Sequence, residues 1–429
     1  VSYSAALKQA GDTIFPQFFT VNDKPIDFVV QDIAVIMVVA AIMLAITYKL
    51  KQPMVIGYLV VGMIIGPYTP PFSLIQSQET LNLFAELGII MLLFVIGTEF
   101  PIAKLRSVGK VSITVALAES LGTLLIVFFI AQNLGFPFYD SLFLGLALSI
   151  TSTVITVRVL EDVGLIRDKS STLILGISIV EDILAISILA TLQSLVTTGD
   201  LSSGEFSIIN IIISITIVAA FVGTILIVGS RFMPRIIDRA GRTNDYSLLL
   251  IVILSLAFGL SFIAKGFGLS VATGAFLAGV LVAESKSAAV ARIITIPLRD
   301  MFAALFFISI GALMNVALLT DYIIPAMILI LTSFASKFLI VTGILVRLNH
   351  DNTTALRTGL GMSAAKGELS LVVAKGGQDV NAISSSILPI LGVVTIVTTL
   401  ITPFIIKVGS RLKLSEPTEE DSRKEKEGT

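Results

Sequence analysis

Glu181 and Asp182 stand side by side in the apolar stretch Gly176-Ile-Ser-Ile-Val-Glu-Asp-Ile-Leu-Ala-Ile186. A charge at the centre of a bilayer costs ~2.5–3.5 kcal/mol on insertion scales, so such residues are kept for function by default. Apolar sequence flanks the pair on both sides, which places it too deep to snorkel to an interface. Neighbouring helical positions point ~100° apart, so one carboxylate can face a cavity while the other faces a neighbouring helix. Buried carboxylates can take up a proton or a cation. The alternative is an acid neutralised by a basic neighbour to hold helices together. Lys337, in Leu331-Thr-Ser-Phe-Ala-Ser-Lys-Phe-Leu339, is equally deep, and Glu181 and Asp182 are its obvious partners. Such a pair is either purely structural or broken when a substrate binds.

Further polar groups interrupt two other apolar stretches. One reads Ser149-Ile-Thr151-Ser152-Thr153, the other Ser363-Ala-Ala-Lys366-Gly367-Glu368. Thr151 and Ser152 can offer hydroxyl or carbonyl oxygens to a cation, although Ser and Thr in membrane helices also bond their own backbone. Lys366 and Glu368 are suited to compensating the dipoles of helix ends, and Glu119 is a further candidate for the same charge compensation at the crossover. Glu86, Glu99 and Asp300 fall near span ends, where solvation suffices. The chain has no Cys, no Trp and a single His, His350. Thiolate metal sites, disulfides and histidine catalysis are therefore excluded or starved of residues, and no nucleophile–base pair is visible. An enzyme is not expected and no cofactor is implied.

The elements that carry these residues are membrane spans. Of 429 residues, 55% are hydrophobic and only 14% charged, and the mean hydropathy is +0.97. A soluble protein averages about a quarter charged. The apolar runs divide into thirteen spans near 31–49, 53–68, 80–98, 111–132, 138–160, 171–196, 207–233, 246–264, 268–285, 293–316, 322–347, 355–377 and 384–408. Most reach the ~20 residues that a ~30 Å hydrocarbon core requires. Successive connections are alternately rich and poor in Lys and Arg, with 23 of the 29 basic residues on one side. The positive-inside rule then places the N-terminus outside and the C-terminus in the cytoplasm. The predicted organisation is an extracytoplasmic segment over 1–30, a membrane transporter domain over 31–410 and a disordered cytoplasmic tail over 411–429. Within the domain, 31–196 forms a first repeat, 207–233 a linker helix and 246–408 an inverted second repeat. The fold class is all-α and polytopic. Both polar interruptions fall in the fifth span of a repeat, predicting two discontinuous helices that cross near the midplane. Glu119 and Lys337 occupy the matching fourth spans.

These features resemble the monovalent cation–proton antiporter superfamily, in particular its second branch of Kef-type potassium efflux proteins and bacterial sodium–proton exchangers. The segments that carry the resemblance are Gly57-Tyr-Leu-Val-Val-Gly-Met-Ile-Ile-Gly-Pro67, Glu86-Leu-Gly-Ile-Ile-Met-Leu-Leu-Phe-Val-Ile-Gly-Thr-Glu99, Gly274-Ala-Phe-Leu-Ala-Gly279 and Phe306-Phe-Ile-Ser-Ile-Gly311. The resemblance implies a homodimer, a six-helix core and alternating access. It implies that Asp182 is the shared cation and proton site, with Lys337 as the core lysine facing it. Thr151 and Ser152 then belong to the first crossover, and Lys366-Gly367-Glu368 to the second. The position of Glu181 is Asp in electrogenic exchangers, Asn in many electroneutral ones and Gln in Kef-type proteins, so Glu departs from each pattern.

The expected activity is exchange of a monovalent cation, Na⁺ or Li⁺ before K⁺, for protons, with a role in pH homeostasis. Lys337 either releases a proton as the cation arrives, making the cycle electrogenic, or stays protonated, making it electroneutral. A Kef-type K⁺/H⁺ antiporter is the nearest alternative. A sodium-coupled organic-solute symporter would need a roomier polar cavity. A cation channel would need a carbonyl filter that the sequence does not display. No partner other than the ions, the bilayer and a second copy is implied, and a near-zero net charge gives no basis for nucleic-acid binding.

Overall fold

The computed structural model describes residues 25–411 apart from 51, 70–73, 76, 100–108, 166–167, 199–215, 217–219, 244, 268 and 316–318. The expected terminal segment and tail therefore lie almost wholly outside the described residues, as does the first half of the linker span. Every regular element described is helical. In chain order these are α1 (Pro25–Leu50), α2 (Met54–Ile65), α3 (Gln78–Thr98), α4 (Lys110–Asn133), α5 (Phe138–Ser149), α6 (Thr153–Asp162) and α7 (Lys169–Thr198). A π turn at Ile225–Gly229 leads into α8 (Ser230–Gly241). Then come α9 (Tyr246–Gly266), α10 (Val271–Ala283), α11 (Ala288–Leu313), α12 (Leu319–Arg347), α13 (Asn352–Ala364), α14 (Glu368–Asp379) and α15 (Ile387–Ser410).

Among the described residues, nine helical stretches are long and apolar enough to cross a membrane, and α2, α5 and α10 are shorter apolar helices. The protein is a multi-pass membrane protein. Large apolar side chains stay exposed where lipid replaces a protein neighbour, as at Val38, Ile42 and Ile46 on α1. The spans expected at 138–160 and 355–377 are each two half-helices, α5 with α6 and α13 with α14, separated by three residues at 150–152 and 365–367.

The chain divides into two compact units. The first comprises Val1–Arg106, Ile186–Ile324 and Leu371–Val393. Its α2 packs on α11 and its α3 on α10. Without the hydrophobic effect to join helices in lipid, close packing through small residues does the work. A Cβ on Gly62 would lie 2.2 Å from Ile308 O, and one on Gly311 would lie 2.3 Å from Leu59 O. The second pair mirrors the first, with Gly97 meeting Phe276 O at 2.2 Å and Gly279 meeting Phe94 O at 2.1 Å. The Gly-x-x-x-x-Gly spacing of Gly57 and Gly62 recurs at Gly274 and Gly279. Gly62 of α2 and Gly279 of α10 thus each approach a carbonyl of a neighbouring helix, a pattern that inverted repeats would produce. This unit also holds a cavity of about 650 Å³ lined by Glu79, Asn82, Glu86, Lys375 and Asp379, among others. Glu86 accepts there from Lys265 Nζ at 2.7 Å.

The second unit comprises Ser107–Ala185, Pro325–Ser370 and Val394–Thr429. Its apolar core joins Val115 and Ala116 of α4, Ile174 and Ile177 of α7, Val341 and Leu345 of α12, and Met362 of α13. Both helix breaks belong to this unit, and so do Glu119, Glu181, Asp182, Lys337, Lys366 and Glu368.

Candidate ion site

An interrupted helix leaves backbone carbonyls without intrahelical donors, and in a membrane each must find another. The end of α5 is covered one carbonyl at a time. Ser149 Oγ donates to Leu146 O at 2.8 Å, Ser370 Oγ to Ala147 O at 2.7 Å, and Ser333 Oγ to Leu148 O at 2.8 Å. Lys366 Nζ also donates to Leu148 O, at 2.6 Å. That puts a lysine at the carbonyl end of a half-helix, where the helix dipole favours positive charge. At the other break, Thr151 Oγ1 donates to Met362 O at 2.7 Å and Ser363 Oγ to Gly359 O at 2.6 Å. The two breaks touch directly, because Ser152 N–H donates to Ala365 O at 2.9 Å. Gly367 makes that approach possible. A Cβ there would lie 2.4 Å from Ser152 Oγ and 2.5 Å from Ser152 Cβ. Glu368 is the first residue of α14, where an acid suits the free N–H groups.

Lys337, on α12, sits in the same region with no exposed side-chain area. Its Nζ lies 2.6 Å from Thr151 Oγ1, 2.9 Å from Glu181 Oε1 and 3.0 Å from Glu119 Oε1. Glu181 Oε2 accepts from Thr151 N–H at 3.2 Å. Glu119 Oε1 accepts from Thr123 Oγ1, one helical turn away, at 3.4 Å, and Thr123 Oγ1 accepts in turn from Ser336 Oγ at 3.2 Å. Of the two partners expected for Lys337, Glu181 is in contact and Asp182 is not among its ion pairs. Glu119 is in contact instead, so this acid sits on the lysine rather than at a crossing helix end. Its place was hard to see in the sequence, where the only hint was that Glu119 and Lys337 occupy matching fourth spans.

Asp182 points elsewhere, as adjacent positions on a helix must. Its Oδ2 accepts from Thr153 Oγ1, in the first turn of α6, at 3.4 Å. Its Oδ1 is buried and takes no hydrogen bond among the described residues. Ser152 Oγ and Thr156 Oγ1 are in the same condition. Thr156 was not singled out in the sequence, although its spacing of four from Ser152 puts it on the same face of α6. Oxygen is the ligand type that hard cations take, and Asp182, Ser152 and Thr156 each carry a buried oxygen without a partner among the described residues, whereas Glu181 is already engaged. None of these residues lines the cavity of the first unit.

Paired broken helices meeting beside a buried acid–lysine cluster, inside a polytopic helical bundle, define a membrane transporter rather than an enzyme. The chain belongs to the sodium/hydrogen exchanger transmembrane family, which matches residues 34–408. Among curated relatives, the Escherichia coli (strain K12) protein YbaL is 31% identical over 354 residues, covering 80% of this chain and 62% of the relative. The high-affinity Na(+)/H(+) antiporter NhaS3 of Synechocystis is 30% identical over 341 residues, covering 76% of this chain and 71% of the relative. The K(+)/H(+) antiporter subunit KhtU of Bacillus subtilis is 26% identical over 399 residues, covering 90% and 95%. This chain spans 62% of the length of YbaL, so that relative carries further sequence outside the match. Among solved structures, the sodium proton antiporter MjNhaP1 of Methanocaldococcus jannaschii shares the fold. It superposes with a TM-score of 0.67 at 20% identity, covering 90% of this chain and 96% of that one.

Proposed function

We propose that this chain exchanges a monovalent cation for protons by alternating access, with Asp182 as the site that both compete for. The observation that carries the reading is the buried Oδ1 of Asp182, without a donor among the described residues, beside the contact of two broken helices. A carboxylate with few hydrogen bonds, out of bulk water, is poorly stabilised as a bare anion. It is stabilised by either a proton or a cation, and one occupant excludes the other. If only loaded forms cross the membrane, exchange follows. In this scheme Ser152, Thr156 and nearby carbonyls add oxygen ligands, and Lys366 and Glu368 hold the half-helix ends in register. Lys337 and Glu181 hold α12 and α7 together behind the site. Na⁺ is the first reading for the cation, in keeping with the family and with NhaS3. The name of KhtU favours K⁺ as the second. A homodimer with the N-terminus outside belongs to the same proposal.

The test is cation-driven proton flux in proteoliposomes loaded with a pH dye. Na⁺, Li⁺ and K⁺ are compared side by side, with valinomycin used to set the voltage. Asp182→Ala and Asp182→Asn are expected to abolish cation-dependent proton flux. Survival of flux in both variants overturns the assignment of Asp182. Ion movement without proton movement in the wild-type protein points to a symporter or a channel instead.

A further inference from the structure

The helix that leads towards α9 carries a charged surface that ion exchange leaves idle. The stretch Ala220–Gly241 is apolar enough to cross a membrane. Its character changes at Arg231. Ile225-Leu-Ile-Val-Gly-Ser230 gives way to Arg231-Phe-Met-Pro-Arg-Ile-Ile-Asp-Arg-Ala-Gly-Arg242. Successive helical residues are ~100° apart, so Arg231, Arg235, Arg239 and Arg242 fall in one stripe about 80° wide. Arg242 follows α8 directly and keeps helical backbone angles, φ −76° and ψ −15°. All four arginines are exposed. Ile237 and Ala240, on the opposite side, are buried, and α8 packs on α9 and α10. Asp238 fixes the helix in place. Its Oδ1 accepts from Ser287 N–H at 3.1 Å and from Ser287 Oγ at 3.3 Å. Phe232 and Ile236, which flank the arginine stripe, are 55% and 47% exposed.

None of the four arginines forms an ion pair among the described residues. Arg235 gives one N–H to Arg231 O, and a guanidinium has five. Like charges four positions apart on a helix repel, and the helix dipole favours only those near its C-terminal end, such as Arg239. An external anion is what the stripe lacks. We propose that this face of α8 is a docking surface for anionic phospholipid headgroups, with the arginines on the phosphates and Phe232 and Ile236 among the acyl chains beside them. The arginine fork matches phosphate oxygens two at a time. Its long stem lies along apolar surface while the charge reaches the headgroup level. From Arg231 to Arg242 the stripe rises about 16 Å, which suits more than one phosphate. A soluble acidic partner would match the arginines but not the apolar pair beside them. The chain's own residues 411–429 hold six acids and five bases, so they lack the net charge to serve instead. Lipid docking here is independent of the reading of Asp182.

The chain contains no Trp, so Phe232→Trp places a single reporter indole in this face. The full chain is reconstituted in vesicles of phosphatidylcholine and phosphatidylglycerol at fixed proportion, with bromine on the acyl chains of one lipid or the other as quencher. Phosphatidylglycerol is expected to be preferred at position 232 by at least about fivefold, the worth of one arginine near an anionic surface. Leu331→Trp, at a position 63% exposed on α12, is the reference and is expected to show no such preference. Adding Arg231→Gln and Arg235→Gln to the Phe232→Trp protein is expected to remove most of the preference, whereas Arg231→Lys and Arg235→Lys keep most of it. High salt is expected to weaken it, as screening requires. Equal quenching by the two lipids at position 232, or a preference no greater than at position 331, overturns the proposal, and neither result needs an arginine variant to fold. A preference that survives both Arg→Gln changes overturns it as well. Quenching by acrylamide in place of either brominated lipid puts the face in water, open to a soluble partner, and also overturns it.

Discussion

Lys337→Met removes the cation on which Glu119 and Glu181 converge, while filling most of the same volume. Lys337 makes three contacts of 2.6–3.0 Å and has no exposed side-chain area. Deleting one member of a buried ion pair costs about 3–5 kcal/mol, because the remaining charge keeps its desolvation penalty and loses its partner. Melting temperatures move by about 2–4 °C per kcal/mol in proteins of 150–250 residues, and by less in longer chains, so the expected loss is roughly 5–10 °C. The chain contains no Trp, so the assay is loss of helical circular dichroism in detergent rather than Trp fluorescence. The double variant Lys337→Met/Glu181→Gln removes the stranded carboxylate as well. This second change is expected to return part of the loss, because no unpaired charge is left at position 181. A single variant that melts within about 1 °C of wild type would mean that Lys337 is not held as the buried contacts require. A double variant less stable than the single would refute the charge argument as a whole.

Gly367→Ala forces a methyl group into Ser152, with 2.4 Å to its Oγ and 2.5 Å to its Cβ. Overpacking of this kind costs about 1–3 kcal/mol. The expected result is a lower melting temperature and lost flux, partly restored by adding Ser152→Gly, and the check is both readouts on the three proteins together. Asp351 caps α13, accepting from Thr354 N–H at 2.8 Å. Partial burial pushes its carboxyl up, but hydrogen bonds from Thr354 and the charge of Lys169 outweigh this and hold it below 3.8. A depressed folded value means that the stabilisation is present above the unfolded value and is lost as pH falls through the folded one. Asp351→Ala is therefore expected to cost about 1 kcal/mol near neutral pH. The gap in melting temperature should close as pH drops below 3.8, and a gap independent of pH would argue against a charged cap.

The all-helical, multi-pass character and both helix breaks were legible because each depends on local sequence. A polar triplet such as Thr151-Ser152-Thr153 inside an apolar run cannot continue quietly through lipid. The divergence of Glu181 and Asp182 was legible for the same reason, since it follows from the pitch of a single helix. What the sequence could not supply was the identity of neighbours on other helices. Thr151 and Lys337 are 186 positions apart, and periodicity says which way each side chain points but not what it meets. Glu119 consequently went unrecognised as a partner of Lys337, and Ser333 and Ser370 as donors to α5. Thr156 could have been found by stepping one turn along α6 from Ser152. The glycine spacing shared by 57–62 and 274–279 was present as well, but its meaning emerged only once Gly62 and Gly279 were each seen against a carbonyl of a neighbouring helix.

The donors that finish the end of α5 come from far along the chain. Ser333, Lys366 and Ser370 lie 185, 218 and 223 positions from the carbonyls they serve. At a synthesis rate of about 5–20 residues per second, they emerge roughly 10–40 s after α5 does. During that interval the newborn half-helix must rely on its own Ser149, on water or on the insertion machinery to cover its open end. The crossing is thus also a late event of biogenesis. A chain interrupted before α14 would leave the first break unfinished, exposing polar backbone in the membrane by which quality control can tell a partial product from a complete one.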